Sequence, residues 1–275
     1  VVQDPAVHKY VALVGPLVAQ QTERPKLPWT FVVLDTDGVN AFASPGGIVH
    51  ITRGALGLIK SEAELAGVLG HEIAHVTRKH TINAIQKNKG FKLASNAVPG
   101  SHEYVGALAN AAYDNIVERG FDRGDEEDAD AHGIQLANKV GYSPERLGTF
   151  LTKLAERNKG VTTRNALFAS HPETQGRIAR MAKQIKADRL GSTASIEARY
   201  RGAIRFDAKE ITQITAEAPN KKGFGLGALK LSDGKQAEST QVSASAGNRA
   251  VGVDRHAKGG GNPSKVSVSV TPAEV

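Results

Sequence analysis

Cysteine is absent from the 275-residue chain, which excludes a disulfide framework, a thiolate zinc site, an iron–sulfur cluster and a cysteine nucleophile. Any metal has to be held by His, Asp and Glu. Long hydrophobic runs are missing too: the longest, Val11 to Ala19, is broken by Gly15 and Pro16, far short of the ~20 residues a membrane-spanning helix needs. Met181 is the only methionine and the chain opens on Val1, so upstream sequence is expected to be missing, a signal peptide or lipid anchor is one thing it could hold, and localisation cannot be read directly. Acidic residues are the minority, 28 against 35 Lys and Arg, for a net charge of +7. That balance is compatible with an anionic partner, but the charge is spread as on a solvated surface, and no nucleic acid partner is expected.

What is present is ordinary for a globular protein, with 40% hydrophobic and 23% charged residues, and the length suits one large or two modest domains. The first 190 residues read as mainly helical. Apolar residues recur at helical spacing from Asp4 to Gln20, and Thr30 to Leu34 is a short β-rich run followed by the turn Asp35-Thr36-Asp37-Gly38. Val39 to Ala43 reads as the returning strand and Ile48 to Thr52 as another, which together predict a small antiparallel sheet. Ser61 with Glu64 has the form of a capping box, and the periodicity from Ala63 through Val76 predicts a helix of several turns. Further helices are expected over about Glu103 to Arg119, Glu126 to Val140, Pro144 to Arg157 and Pro172 to Leu190, the last two opening on prolines suited to a first turn.

From 191 to 275 the composition shifts to Gly, Ser, Thr and Ala, with 12 basic and 8 acidic residues. Alternating runs at Ala198 to Phe206, Gln241 to Ala244 and Lys265 to Val270, punctuated by Gly223 to Gly227 and Gly259 to Gly261, predict a small β-rich region with weak packing or long mobile loops. The chain is thus read as a first domain over 1–190 and a C-terminal region over 191–275.

His71-Glu72-Ile73-Ala74-His75 lies in the middle of the helix that Ser61 starts. At 3.6 residues per turn both imidazoles project from one face and can reach one metal ion, with Glu72 beside them, the geometry of a zinc hydrolase. Random placement produces this pattern in roughly one such sequence in sixty, so context has to decide. The flanking Val68, Leu69, Ile73, Ala74 and Val76 make the helix too apolar for a surface, so its polar side chains would be buried and in need of partners. A catalytic zinc takes three protein ligands and keeps a position open for water. Arg78 and Thr81 stand where a metzincin has Gly and a third His, which excludes that subclass. Glu126-Glu127-Asp128-Ala129-Asp130 offers a carboxylate instead. Glu126 and Asp130 share a helix face, so Glu126 can ligate while Asp130 accepts the outer N–H of a ligand His. Acidic residues at a helix start are also favoured by the helix dipole alone.

HEIAHVTRKH, preceded by VNAFASPGG and a strand leading to TRGAL, and followed by EEDADAHG and then SHPETQGRIARM, resembles the HtpX-like and BepA-like family of gluzincin metallopeptidases, which also contains the CAAX prenyl endopeptidases. Four blocks in the same order carry the resemblance, over roughly Asp4 to Leu190. It implies an α+β fold, a mainly helical zincin-type domain with its small sheet beside the active-site helix. It also implies one zinc ion per chain on His71, His75 and Glu126, with Asp130 behind them and Glu72 as the catalytic base. The strand at Asn40, Ala41, Phe42 and Ala43 would be an edge on which extended substrate lies. His171 would lie near the zinc, where it stabilises an oxyanion or caps the metal in a closed state, unless it serves only as a helix-entry group. Arg177 would bind a substrate carbonyl or carboxylate, or pair with an acidic neighbour. His80 and His132 are expected to support the site from behind or to face solvent, and Phe42 and Phe91 to belong to the core. Many relatives span membranes; this chain looks like the soluble bacterial envelope branch, periplasmic or lipid-anchored, and its last 85 or so residues match no part of the family. The expected function is a zinc endopeptidase acting on unfolded or misassembled proteins in envelope quality control. A chaperone-like adaptor with latent peptidase activity, using the C-terminal region as its partner surface, is the alternative.

Overall fold

The structure is a computed structural model and describes residues 1–87, 120–159, 171 and 174–210, together with the backbone at 245–246 and 249–250. The predicted helix over Glu103 to Arg119, the strands at Gln241 to Ala244 and Lys265 to Val270, both glycine clusters, Phe91 and Pro172 lie outside the described residues.

Helix α1 (Pro5–Ala19) starts where Asp4 accepts the Ala6 N–H at 2.9 Å and Pro5 fills a first-turn position. Val7, Val11, Val14 and Val18 give it one buried face. Strands β1 (Thr30–Leu34), β2 (Ala41–Ser44) and β3 (Ile48–Thr52) form a three-stranded sheet in the order β1-β3-β2. The sheet is mixed rather than antiparallel: β2 pairs antiparallel with β3, but β1 and β3 run parallel, with Thr30 opposite Ile48 and Leu34 opposite Thr52. The expected β1–β2 hairpin does not form, because the Asp35 to Gly38 segment is drawn to the start of α2 (Arg53–Leu58), where Arg53 pairs with both Asp35 and Asp37 at 3.0 Å. Thr52 joins the pieces, its Oγ1 accepting the N–H groups of Ala55 at 3.1 Å and Asn40 at 3.0 Å.

Helix α3 (Glu62–Thr77) carries the HEIAH motif and is buried along its whole length. A helix buried on every side is central, and its polar side chains then need partners. Ser61 Oγ accepts the Glu64 N–H at 3.1 Å, the expected cap, while the Glu64 carboxylate takes the Lys60 N–H at 2.8 Å and the Lys153 ammonium at 2.6 Å. Around α3 stand α4 (His80–Lys87), α5 (Arg123–Lys139) and α6 (Glu145–Arg157), and α7 (Thr174–Ala187) packs on α6 and α5. Among the described elements, the most extensive packing is between α3 and α5, and two glycines permit it. A Cβ on Gly133 would sit 3.0 Å from the His71 nitrogen, and one on Gly70 would sit 3.1 Å from Gly133 O. Glu126, Asp130 and Gly133 follow helical spacing on one face of α5, so the same stripe brings two carboxylates and a backbone contact against α3.

The stretch read as the start of a β-rich appendage continues the domain instead. Ala198 to Phe206 contains α8 (Glu197–Ala203), not a strand. Ala, Arg and Glu are good helix formers, and Tyr200 and Ile204, one turn apart, are both buried in the core. Ser143 N–H donates to Ala194 O at 2.9 Å and Ala63 N–H to Ser195 O at 3.1 Å. Ile196 then takes φ +55, rare for a β-branched residue, and turns the chain into α8. Tyr200 Oη donates to Leu56 O at 2.7 Å, and Lys209 Nζ lies 2.7 Å from Asp37 Oδ2. The described residues after 190 therefore keep contact with the same core through Tyr200, Ile204, Phe206 and Ala208, and this described stretch runs to residue 210. Beyond it, among the described residues, are the two-residue antiparallel strands β4 (Ser245–Ala246) and β5 (Arg249–Ala250).

Candidate metal centre

His71 and His75, one turn apart on α3, bring their Nε2 atoms within 3.1 Å of each other. From α5, Glu126 places Oε1 3.3 Å from His75 Nε2 and Oε2 3.6 Å from His71 Nε2. His171 joins them from just before α7, its Nδ1 3.2 Å from His71 Nε2 and 2.7 Å from Glu126 Oε1. All four residues are buried, and their donor atoms lie within 4.8 Å of one another, the one such His/Asp/Glu group found among the described residues. Three imidazole nitrogens and a carboxylate oxygen converging in this way suit a divalent transition metal, zinc above all.

Glu72 sits beside the donors, 1% exposed, with Oε1 3.5 Å from His171 Nε2 and Oε2 without a hydrogen-bond partner. Burial pushes its carboxyl up, against the pull of His171 and His71. Burial acts the same way on Glu126, but His171 and Arg177 outweigh it and hold that carboxyl well below the usual range. Two carboxyls of one site are thus driven apart, one toward holding a proton and one toward staying ionised. An orphaned buried carboxylate oxygen facing a tight donor cluster is a deficit of positive charge that a bound cation would relieve.

A second layer holds the donors. Asp130 Oδ1 lies 3.0 Å from His71 Nδ1. Arg177, 2% exposed, forks onto Asp130 through Nε at 2.7 Å and Nη2 at 2.6 Å, and its Nη1 reaches Glu126 Oε2 at 2.7 Å and His171 O at 3.4 Å. The structure thus places Arg177 behind the donors, in the pairing with acidic neighbours that was the alternative to substrate contact. The Phe121 ring stacks on His75, centroids 3.8 Å apart. His132 faces away, its Nδ1 2.8 Å from Asp128 O. Asn40, Ala41, Phe42 and Ala43 run beside α3 with the Asn40 Oδ1 buried and unpartnered, and Phe42 stacks on His50, whose imidazole burial pushes down to about 4. Sequence reading missed both Phe121, for which it has no signal, and Gly133, which the helical spacing after Glu126 and Asp130 could have marked.

A helix bearing HExxH, a carboxylate facing it from a second helix and a small sheet alongside define a metallopeptidase domain. The chain belongs to Peptidase family M48, whose family model matches residues 5–185. It is 30% identical over 190 residues to the beta-barrel assembly-enhancing protease of Yersinia pestis, covering 64% of this chain and 38% of that protein. It is also 27% identical over 165 residues to metalloprotease LoiP of Escherichia coli K12, covering 58% of this chain and 64% of that protein, and 29% identical over 158 residues to the mitochondrial metalloendopeptidase OMA1 of Arabidopsis thaliana, covering 57% and 32%. The chain spans 38% and 39% of the length of the Yersinia and Escherichia coli beta-barrel assembly-enhancing proteases. Among the described residues, no helix is long and apolar enough to cross a membrane.

Proposed function

We propose that the chain is a zinc endopeptidase of the bacterial envelope, acting on unfolded or misassembled polypeptide, with His71, His75 and Glu126 as metal ligands and Glu72 as general base. The buried four-donor cluster carries this reading. When bound, zinc acidifies water and polarises a peptide carbonyl. Glu72 is placed to accept the proton of the attacking water and to return it to the leaving amine, and a carboxyl raised by burial suits both steps. Asp130 fixes the ring of His71, and Arg177 fixes Asp130 and Glu126 together. The name of the beta-barrel assembly-enhancing protease supports the setting in the envelope, and the name metalloprotease LoiP supports metal-dependent proteolysis.

With zinc bound, His171 would take the position that a catalytic zinc site keeps open, and the four donors together would make a closed, resting form. In this reading His171 withdraws for turnover. The test is the purified chain and His171→Ala side by side. The parent is expected to hold one zinc per chain and to cleave casein, with cleavage abolished by a chelator. The variant, which retains the other three donors, is expected to keep its zinc and cleave faster. A parent free of zinc would end the proposal, and a slower variant would show that His171 assists the reaction.

Substrate is proposed to add to β2 as an extra strand. Thr52 N–H donates to Asn40 O at 2.9 Å, so by antiparallel alternation the N–H and C=O groups of Ala41 and Ala43 face away from β3. Thr81 Oγ1, which donates to Ala43 O at 3.3 Å, lies on that outer side. Ala41 and Ala43 are 0% and 1% exposed, so this edge is covered rather than open, in keeping with a resting form. Backbone pairing at an edge tolerates varied side chains and demands extended substrate. Ala41→Pro removes one outward donor at a position where an edge strand accepts proline. It is expected to keep zinc and lower kcat/KM on unfolded casein about fivefold to tenfold, the worth of one hydrogen bond. Cleavage at the parent rate by a folded, zinc-loaded variant would rule out pairing through Ala41.

A further inference from the structure

His80 is not among the four donors, yet it touches one of them. Helix α3 closes with Arg78 N–H bonded to Ala74 O at 2.9 Å, and Lys79 then takes φ +64, which turns the chain back so that α4 begins against the helix it has just left. This brings His80 Nδ1 to 3.2 Å from His75 Nδ1. On its other side, His80 Nε2 lies 3.1 Å from Asp128 Oδ2 and 3.8 Å from Asp125 Oδ1. Asp128 in turn accepts Arg78 Nε at 2.8 Å and has His132 Nδ1 3.4 Å from its Oδ1.

We propose that His80 is a positioning residue for the metal centre, fixing the ring of His75 and tying it to Asp128, so that each helix-borne ligand His rests on its own carboxylate and arginine. This rests on the reading that His75 binds zinc through Nε2. The remaining nitrogen of that ring, Nδ1, is buried and carries the proton in a neutral ligating imidazole, so it needs an acceptor. His80 Nδ1 is that acceptor. A neutral His80 then bears its own proton on Nε2, which donates to the Asp128 carboxylate. Every N–H in the chain has an acceptor, with both imidazoles neutral throughout.

The two supports are unequal. Behind His71, Asp130 and Arg177 have side chains 4% and 2% exposed; behind His75, Asp128 and Arg78 are at 30% and 44%. Water competes for the outer pair and screens it, so its carboxylate holds less tightly than the inner one. The order of importance follows: Asp130, then His80, then Asp128.

The test measures zinc affinity of the full chain by competition with a chelator, and the visible absorption bands of its cobalt(II) form, which report ligand geometry without turnover. His80→Phe keeps a ring of similar shape and removes both nitrogens. It is expected to weaken zinc by about tenfold, within the range usual for groups that orient ligands, and to shift the cobalt bands. His80→Asn puts an amide oxygen near the place of Nδ1 and is expected to recover most of that loss. Asp128→Asn is expected to cost a few-fold, and Asp130→Asn about 10 to 100-fold. If His80→Phe does not fold, the His80→Asn and Asp128→Asn pair carries the comparison, and parent-like cobalt bands in Asp128→Asn would overturn the link to Asp128. Parent-like affinity and bands in a folded His80→Phe, or His80→Asn as damaging as His80→Phe, would overturn the positioning role. A parent that binds no zinc would overturn the metal reading and this inference with it.

Discussion

Glu72→Gln is expected to keep the fold and the zinc while lowering kcat on unfolded substrate by at least about two to three orders of magnitude, the scale of general acid–base catalysis. The substitution is nearly isosteric at a side chain with no room to rearrange, since Glu72 is 1% exposed. It leaves His71, His75 and Glu126 untouched. What it removes is the ability to take a proton, and the surroundings of Glu72 favour proton transfer, because burial raises the carboxyl while His171 and His71 limit the rise. KM is expected to change little, because the loss falls on the transition state. Metal analysis, circular dichroism and a casein assay on the same preparation decide the matter. A zinc-loaded variant cleaving near the parent rate would remove Glu72 from the mechanism.

The second large effect is expected at Glu126. Glu126→Ala deletes the only anionic donor of the cluster, and zinc content is expected to fall from one per chain to a small fraction, with cleavage lost in proportion. The damage extends past the metal. His171 Nδ1 loses its 2.7 Å partner, and Arg177 Nη1 loses the carboxylate oxygen it faces at 2.7 Å. Arg177 keeps its fork on Asp130, so the stability cost should stay below the ~3–5 kcal/mol typical of a buried charge left with no partner. Glu126→Gln, which keeps the shape and an oxygen donor, separates ligation from packing: it should melt close to the parent yet bind zinc weakly. Full zinc content in a folded Glu126→Ala would mean that another residue supplies the third ligand.

Much of this arrangement was legible from spacing. Helical periodicity needs only local information, so α1, α3, α5 and α6 were located within a few residues, and the i, i+4 separations of His71 with His75 and of Glu126 with Asp130 announced two faces that could meet. The topology of the sheet was not legible. Two short β-rich runs flanking a turn favour a hairpin, and contacts outside that window, such as those of Arg53 with Asp35 and Asp37 and of Lys209 with Asp37, hold the segment elsewhere. The strand expected at Ala198 to Phe206 failed for a related reason. Its alternation was satisfied by burial of Tyr200 and Ile204 on a helix, and nothing local says which period the tertiary contacts will select. The block around Arg177 carried no direction, because whether an arginine meets a substrate or an aspartate depends on which carboxylates the fold brings to it.

The segment from Ala194 to Ile204 has a consequence for the order in which the domain can close. Buried Glu62, in the first turn of the helix that carries His71 and His75, accepts hydrogen bonds from Tyr10 and Tyr142 and forms an ion pair with Arg199. Glu62 and Arg199 are 137 residues apart in sequence, Leu56 and Tyr200 are 144 apart, and His71 and His171 are 100 apart. Contacts of such range repay their loop-closure entropy only after most of the chain is in place. Until Arg199 arrives, the Glu62 carboxylate would be buried without a countercharge, which disfavours the closed domain. The family match ends at residue 185, so a fragment cut at that point would hold every proposed zinc ligand and still lack the cation that completes the start of their helix. A domain closed this way is expected to complete the start of the helix that carries the proposed ligands only once residue 199 has been made, so a chain clipped or stalled before it should leave that helix end without its countercharge.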